Sequence, residues 1–248
     1  MATVGGGIVG FFSLEMSAEQ LATRIVAEQT GIPSNKIRRG LLNEGDFAKT
    51  KEVNSNLRNL PLYIDETGGT SIAQIAARAR RLKRQRGLDL LVIDYVQLLH
   101  GTKHRSHENR VQEITEITTS LKALAKELNI PILALSQLSR QVEQREEKRP
   151  LLSDLRESGS IEQDADVVLF VFREAYYHAL QKPDDDQKFS AWAARAEELH
   201  NRAEIIIAKH RHGPTTTVDL NFEPELTRFS CRERRYDSTP GSHENVYH

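Results

Sequence analysis

Leu90-Leu91-Val92-Ile93-Asp94-Tyr95 decides the fold. Four consecutive aliphatic residues exceed what a half-solvated strand carries, so the run reads as a strand covered on both faces, which is the situation of a parallel sheet between helices. A carboxylate follows where the strand ends. A hard anionic oxygen in that place is what a magnesium ion bridging nucleotide phosphates requires, directly or through water. The same aspartate could equally cap the next loop, and the segment alone leaves both readings open.

Outward from this strand, short aliphatic runs recur at 8–13, 62–65, 132–136, 167–172 and 205–208, with 88–95 as the central one. Between them lie longer stretches with helical spacing, so the expectation is an α/β chain of parallel strands joined by crossover helices. Ser17 with Gln20 three residues later is a capping-box start, and Gly31-Ile32-Pro33 closes that helix. Ser71 opens a helix in which Ile72, Ile75, Ala76, Ala79 and Leu82 share one face, and Gly87 ends it. Residues 108–128 carry Val111, Ile114, Ile117, Leu121, Leu124 and Leu128 at spacings of three and four, before Pro131. Residues 174–202 are charge-rich around Trp192 and read as a surface excursion between two strands. The expected organisation is one domain over 1–231 with that excursion, then a tail at 232–248.

At 248 residues the chain can bury one large core. Its 38% hydrophobic and 28% charged content suits a globular protein, and no stretch approaches the ~20 apolar residues that span a bilayer. The amino terminus shows no basic region followed by an apolar one, and Cys231 is a single cysteine, so no internal disulfide forms. These features fit a cytoplasmic protein without a membrane partner. A net charge of -1 excludes a uniformly basic nucleic-acid coat and leaves local patches at 78–86 and 140–149. The first lies on a helix with an apolar face, and its charges read as the solvent side.

Two further strand ends carry chemistry. Glu15 follows the first strand, where a carboxylate can polarise an attacking water, although a first-turn acid favoured by a helix dipole is the plainer reading. Gln137 follows the strand at 132–136, where a neutral amide can sense a γ-phosphate or merely end the strand. The nine histidines do not read as a metal site: His210 and His212 alternate along a strand, while His100, His104 and His107 lack carboxylate or cysteine partners at ligand spacing.

FFSLEMS, LLVIDYVQLL, ALSQLSRQVEQR, DLRESGSIEQDADVV and AKHRHGP occur in this order. Together they resemble the successive motifs of DnaB-type replicative DNA helicases, over roughly residues 8–222. The resemblance implies a RecA-like three-layer fold with a mostly parallel central sheet and helices on both faces. It implies ATP and Mg2+ as cofactors, single-stranded DNA as partner, a homo-oligomeric ring, and contacts with primase and a helicase loader. By the same resemblance Glu15 is the catalytic glutamate, Asp94 the magnesium-associated aspartate and Gln137 the γ-phosphate sensor. Arg211 resembles the arginine finger that acts on a neighbour's nucleotide, and Lys209 its companion. Arg156, Glu157 and Gly159 resemble the contacts to the DNA backbone, where the absence of a side chain at Gly159 lets a backbone NH approach a phosphate. The loop at 139–150, with Arg140, Arg145, Lys148 and Arg149 against three glutamates, is a second DNA candidate whose rival is a solvated loop.

The chain departs from the family pattern at one point. No GxxxxGK[ST] string occurs in its 248 residues, and Gly5-Gly6-Gly7 runs straight into a strand without the lysine and hydroxyl residue. The expected sheet therefore lacks the phosphate-loop strand and the helix after it, and the family's amino-terminal domain and linker helix are also missing. Weak ATP binding, little hydrolysis and exposed apolar surface are expected of the isolated chain, with self-association, an altered fold or partial disorder near the amino terminus as the consequence. A non-enzymatic remnant that keeps DNA or subunit contacts is the alternative. A filament-forming recombinase relative is a third reading, disfavoured by DLRESG and KHRHGP.

Overall fold

The computed structural model describes residues 2, 5–101 and 110–232, and of residues 156–159 and 186 the backbone alone. Its elements are β1 (Val9–Ser13), α1 (Ala18–Thr30), α2 (Ser34–Arg38), α3 (Glu44–Leu57), β2 (Leu62–Asp65), α4 (Ile72–Arg86) and β3 (Leu90–Asp94). There follow α5 (Arg110–Leu128), β4 (Ile132–Ala134), α6 (Gly159–Asp164), β5 (Val167–Phe172), α7 (Glu174–Ala179), α8 (Asp186–Leu199), β6 (Arg202–His210), β7 (Thr216–Glu223) and β8 (Arg228–Cys231).

β2, β1, β3 and β4 lie side by side in that order, all parallel, with Phe12 opposite Ile93 and Val92 opposite Leu133. One face of this sheet packs on α4 and α5. Phe12, Leu91 and Ile93 meet Ile72, Ile75 and Ala79 from α4 and Ile114, Ile117, Leu121 and Leu124 from α5, all buried. Each such aliphatic side chain removed from water contributes ~1.5–3 kcal/mol, which makes this layer the main source of cohesion. Gly10 lets α4 come close: a Cβ there would lie 3.2 Å from Leu82.

The helix starts read from sequence are formed as expected. Ser17 and Ser71 each accept from the backbone N–H three residues on, with Gln20 and Gln74 returning the bond, and Gly31 closes α1 in the left-handed region. The cations of α4 are more engaged than a bare solvent face: Arg78 binds Asp65 at 2.9 and 2.7 Å, and Arg80 binds Glu127 through two bonds of 2.7 Å. They fasten α4 to β2 and α5. α2 and α3 carry no apolar stripe that sequence could show, since neither buries a residue.

The later strands depart from the sequence reading. β5 and β6 are not members of the parallel series; they pair antiparallel and continue into β7 and β8 as a second four-stranded sheet. β5 also alternates instead of being covered twice: Val168, Phe170 and Phe172 are buried, whereas Val167, Leu169 and Val171 are exposed. A uniformly apolar hexapeptide carries no period, so composition could not distinguish these cases. β7 and β8 form a hairpin held by Phe222 against Phe229, ring centroids 4.7 Å apart, and by Arg228 on Glu223. Residues 174–199 fold as a helical pair in which Trp192 Nε1 donates to the His178 carbonyl at 3.0 Å and the two rings stack.

Apolar surface is left open on both sheets. Leu133 and Leu135 are exposed beyond β3, and Ile161 packs into both the α4–α5 core and the cluster beneath β5. The buried face of β5 thus turns toward the same layer as that of β3. The exposed rows Leu133, Leu135 and Val167, Leu169, Val171 therefore look out on the other side. Among the described residues no helix is long and apolar enough to cross a membrane.

Candidate functional site

The carboxyl ends of β1, β3 and β4 are neighbours, and the three strand-end candidates sit on them. Register places Ser13 opposite Asp94, and the Leu14 N–H donates to the Asp94 carbonyl at 2.8 Å. The ladder thus runs one residue past β1, so Glu15 leaves the sheet beside Asp94. The turn that carries Glu15 is short and tied down at both ends. Ser13 Oγ donates to the Met16 carbonyl at 2.7 Å, and the Ala18 N–H at the start of α1 donates to the Glu66 carboxylate, which follows β2.

Asp94 is half-buried, and its pKa is raised, first by burial, then by the neighbouring Glu15 carboxylate. Arg24, on α1, opposes this in part. A carboxylate whose ionisation is disfavoured by burial and by a neighbouring negative charge is suited to take up a cation. Sequence reasoning missed Arg24 because only docking of α1 turns that side chain toward the strand tips. Among the described residues no group of three or more His, Cys, Asp or Glu residues could hold a metal ion. A magnesium ion that keeps several waters and binds mainly substrate oxygens needs only one or two carboxylates, and Asp94 would meet that requirement.

Gln137 lies three residues past β4, exposed. Its loop is stitched to the loop after β3 by the Gln97 side chain, in the short 3-10 helix Val96–Leu98. Two hollows open here. One, of about 250 Å3, is walled by Gln137, Leu138, Ser139, Arg140, Gln141 and Gln144, and the smaller one by Gln97, Arg110, Gln137 and Asp154 among others. Both include Gln137, and neither includes Glu15 or Asp94, although the three candidates share a sheet edge.

Lys209 and Arg211 stand apart, at the end of β6 and in the turn before β7. Lys209 Nζ reaches the Glu162 carbonyl, and Arg211 Nη1 pairs with Asp166 at 2.8 Å while its N–H donates to the Asp166 carbonyl at 2.8 Å. Lys122 holds the same carboxylate and chiefly accounts for its lowered pKa. The turn is tight: a Cβ at Gly213 would fall 2.4 Å from the His210 ring.

The loop at 139–150 is more structural than its charge suggested. Arg145 binds Asp154 through two nitrogens, Arg149 binds buried Glu204, and Lys148 donates to the Glu143 and Arg145 carbonyls. Among the described residues Arg140 has no such partner and is exposed. Arg156 and Glu157 lie on the 3-10 helix Leu152–Ser158, and Gly159 begins α6; their side-chain surroundings fall outside the described residues.

Comparison with known proteins agrees with this architecture. The model of the DnaB-like helicase C terminal domain matches residues 1–231. The replicative DNA helicase DnaB of Rickettsia bellii is 48% identical over 237 residues, covering 94% of this chain and 47% of that protein. That of Geobacillus stearothermophilus is 47% identical over 237 residues, covering 96% and 48%. The chain thus spans about half the length of the curated relatives it matches. Among solved structures, the ATPase domain of G40P superposes with TM-score 0.79 at 36% identity, covering 93% of this chain and 76% of that one. A DnaB-like replicative helicase studied with its primase interactions gives the same TM-score and identity over 53% of its own chain. With the parallel sheet, its helical layers and the ordered strand-end motifs in place, the chain belongs to the DnaB-like helicase C-terminal domain family.

Proposed function

We propose that this chain is the motor part of a hexameric replicative DNA helicase that couples ATP hydrolysis to translocation on single-stranded DNA and to duplex unwinding in the cytoplasm. The observation that carries the reading is the pairing of β1 with β3, which sets Glu15 beside Asp94, with Gln137 on the next strand tip.

In this reading Asp94 holds magnesium, Glu15 accepts a proton from the attacking water, and Gln137 reports the γ-phosphate. A bound magnesium–nucleotide would supply the scissile phosphoanhydride and the charge that these groups balance. Arg211 and Lys209 act on the nucleotide of a neighbouring copy, where a guanidinium brought from outside neutralises charge growing on the transferred phosphoryl group. Arg211 must first leave Asp166, and both side chains of that pair are about half exposed, so release is easy. Arg156, Glu157, Gly159 and Arg140 follow the sugar-phosphate backbone. Primase and a helicase loader are the protein partners.

The donor set fits magnesium and not the nucleotide phosphates, because GxxxxGK[ST] is absent from the 248 residues. These residues by themselves therefore bind ATP weakly and hydrolyse it little, which is also what a non-enzymatic remnant would do. Two measurements test the proposal. Fluorescence anisotropy with labelled oligo(dT) should show salt-sensitive binding, and its absence at low salt would count against a translocating motor. Phosphate release in the presence of single-stranded DNA should stay near background, and turnover like that of an intact helicase would refute the stated need for a phosphate loop.

A further inference from the structure

Gln97 has no role in the sequence beyond its place in the LLVIDYVQLL string, yet its side chain does what a strand backbone does. Its Oε1 accepts from the Gln137 N–H at 3.2 Å, and its Nε2 donates to the Gln137 carbonyl at 3.1 Å and to Ser136 Oγ at 2.8 Å. An amide presents one acceptor and one donor at the spacing of a peptide unit, so it can replace a ladder partner where the neighbouring strand has already turned away. Here the ladder runs from β3 to β4 as far as the Leu135 N–H on the Ile93 carbonyl, and Val96 N–H closes on the Leu135 carbonyl at 3.0 Å. Gln97 then continues it by one more residue, the one that carries the candidate sensor.

Gln97 is itself held. Arg110, at the start of α5, donates through Nη2 to the Gln97 carbonyl and pairs with Glu113, whose other oxygen accepts from the Gly101 N–H at 3.0 Å. The clamp is therefore fixed to the main helical layer and does not depend on Gln137 for its position.

We propose that Gln97 is a positioning residue that locks the Gln137 main chain to the loop following Asp94, so that the sensor strand tip and the magnesium strand tip move as one piece. The lock rests on geometry alone; its use in nucleotide sensing rests on the role proposed for Gln137.

The test is residue-resolved amide exchange by NMR on the full chain, with Gln97→Met, which keeps the length and loses all three side-chain hydrogen bonds, and Gln97→Glu. The glutamate can still accept from the Gln137 N–H, but at neutral pH it sets a carboxylate against the Gln137 carbonyl. In Q97M the Gln137 amide should exchange about tenfold faster, in line with the loss of one hydrogen bond, while the Val96 amide in the same loop keeps its rate. Q97E should show a smaller acceleration at Gln137. Unchanged exchange at Gln137 in Q97M overturns the proposal, and so does equal acceleration at Val96 and Gln137, because that reports general loosening. The sensor reading is checked separately by adding magnesium and ATPγS at high concentration to wild type. If the nucleotide shifts the Glu15 or Asp94 amides and the Gln137 side-chain amide resonance stays still, while Q97M shows its exchange effect, the reading of Gln137 fails and the lock stands.

Discussion

Arg145 grips Asp154 with two guanidinium nitrogens at 3.0 and 2.9 Å, and the aspartate is almost fully buried. The same carboxylate accepts from the Leu151 N–H at 2.8 Å, and the Asp154 carbonyl accepts from the Ser139 N–H. Removing the arginine leaves a buried negative charge with too few donors. Arg145→Ala should therefore cost about 2 kcal/mol, a figure reduced from that of fully buried pairs because Arg145 is partly exposed. For a domain of this size that lowers the melting temperature by roughly 4–8 °C. A thermal melt indistinguishable from wild type would show that the pair is not structural.

Arg140, on the same loop, should behave in the opposite way. Arg140→Ala should leave stability within ~0.5 kcal/mol of wild type, as for surface substitutions away from structural contacts. It should weaken oligo(dT) binding and lower the slope of log affinity against log salt by about 0.7, the share of one phosphate contact on a single strand. An unchanged slope would remove Arg140 from the DNA-contacting set.

The raised pKa of Asp94 has a definite sign for stability. A carboxyl group whose folded-state pKa lies above its unfolded value destabilises the fold when ionised. That penalty is absent below the unfolded value, appears as pH rises through the folded one, and is full at neutral pH. Asp94→Asn should therefore raise the melting temperature at pH 7, with the gain fading toward pH ~4. Glu15→Gln should act in the same direction but less, because the Glu15 charge ranks behind burial. Melting curves of both variants across this pH range would contradict the assignment if the gain were largest in acid.

The exposed rows on β4 and β5 should drive self-association. β5 is a six-residue aliphatic and aromatic run without charge or proline, and one of its edges has no partner among the described residues. Leu169→Lys puts a charge on the open face and should shift light scattering after size exclusion from oligomer toward monomer. A wild-type chain that elutes as a compact monomer at tens of micromolar would disprove this.

Much of the site was legible in the chain because it depends on local pattern. A strand followed directly by Glu15, by Asp94 or by the segment leading to Gln137 is a statement about neighbours in sequence, and parallel crossover topology then brings all carboxyl ends to one edge. The Ser17 and Ser71 caps were equally plain, since capping is settled within four residues. Arg24 and Gln97 were not legible, because each matters only through a residue far along the chain or on another element. The double life of the 139–150 loop was hidden for the same reason: sequence displays four cations, and only packing tells which of them have found carboxylates.

What the sequence determined by itself was the layered parallel core and the order of its strand-end groups, because periodicity and strand ends are encoded over a few residues. Tertiary structure alone decided that β5 to β8 run antiparallel as a separate sheet. It also decided that Gln97 spans from one strand tip to the next and that Arg140 stays unpaired while Arg145 does not. Each of these depends on contacts between segments distant in the chain, whose partners are chosen by burial and geometry and not by adjacent residues.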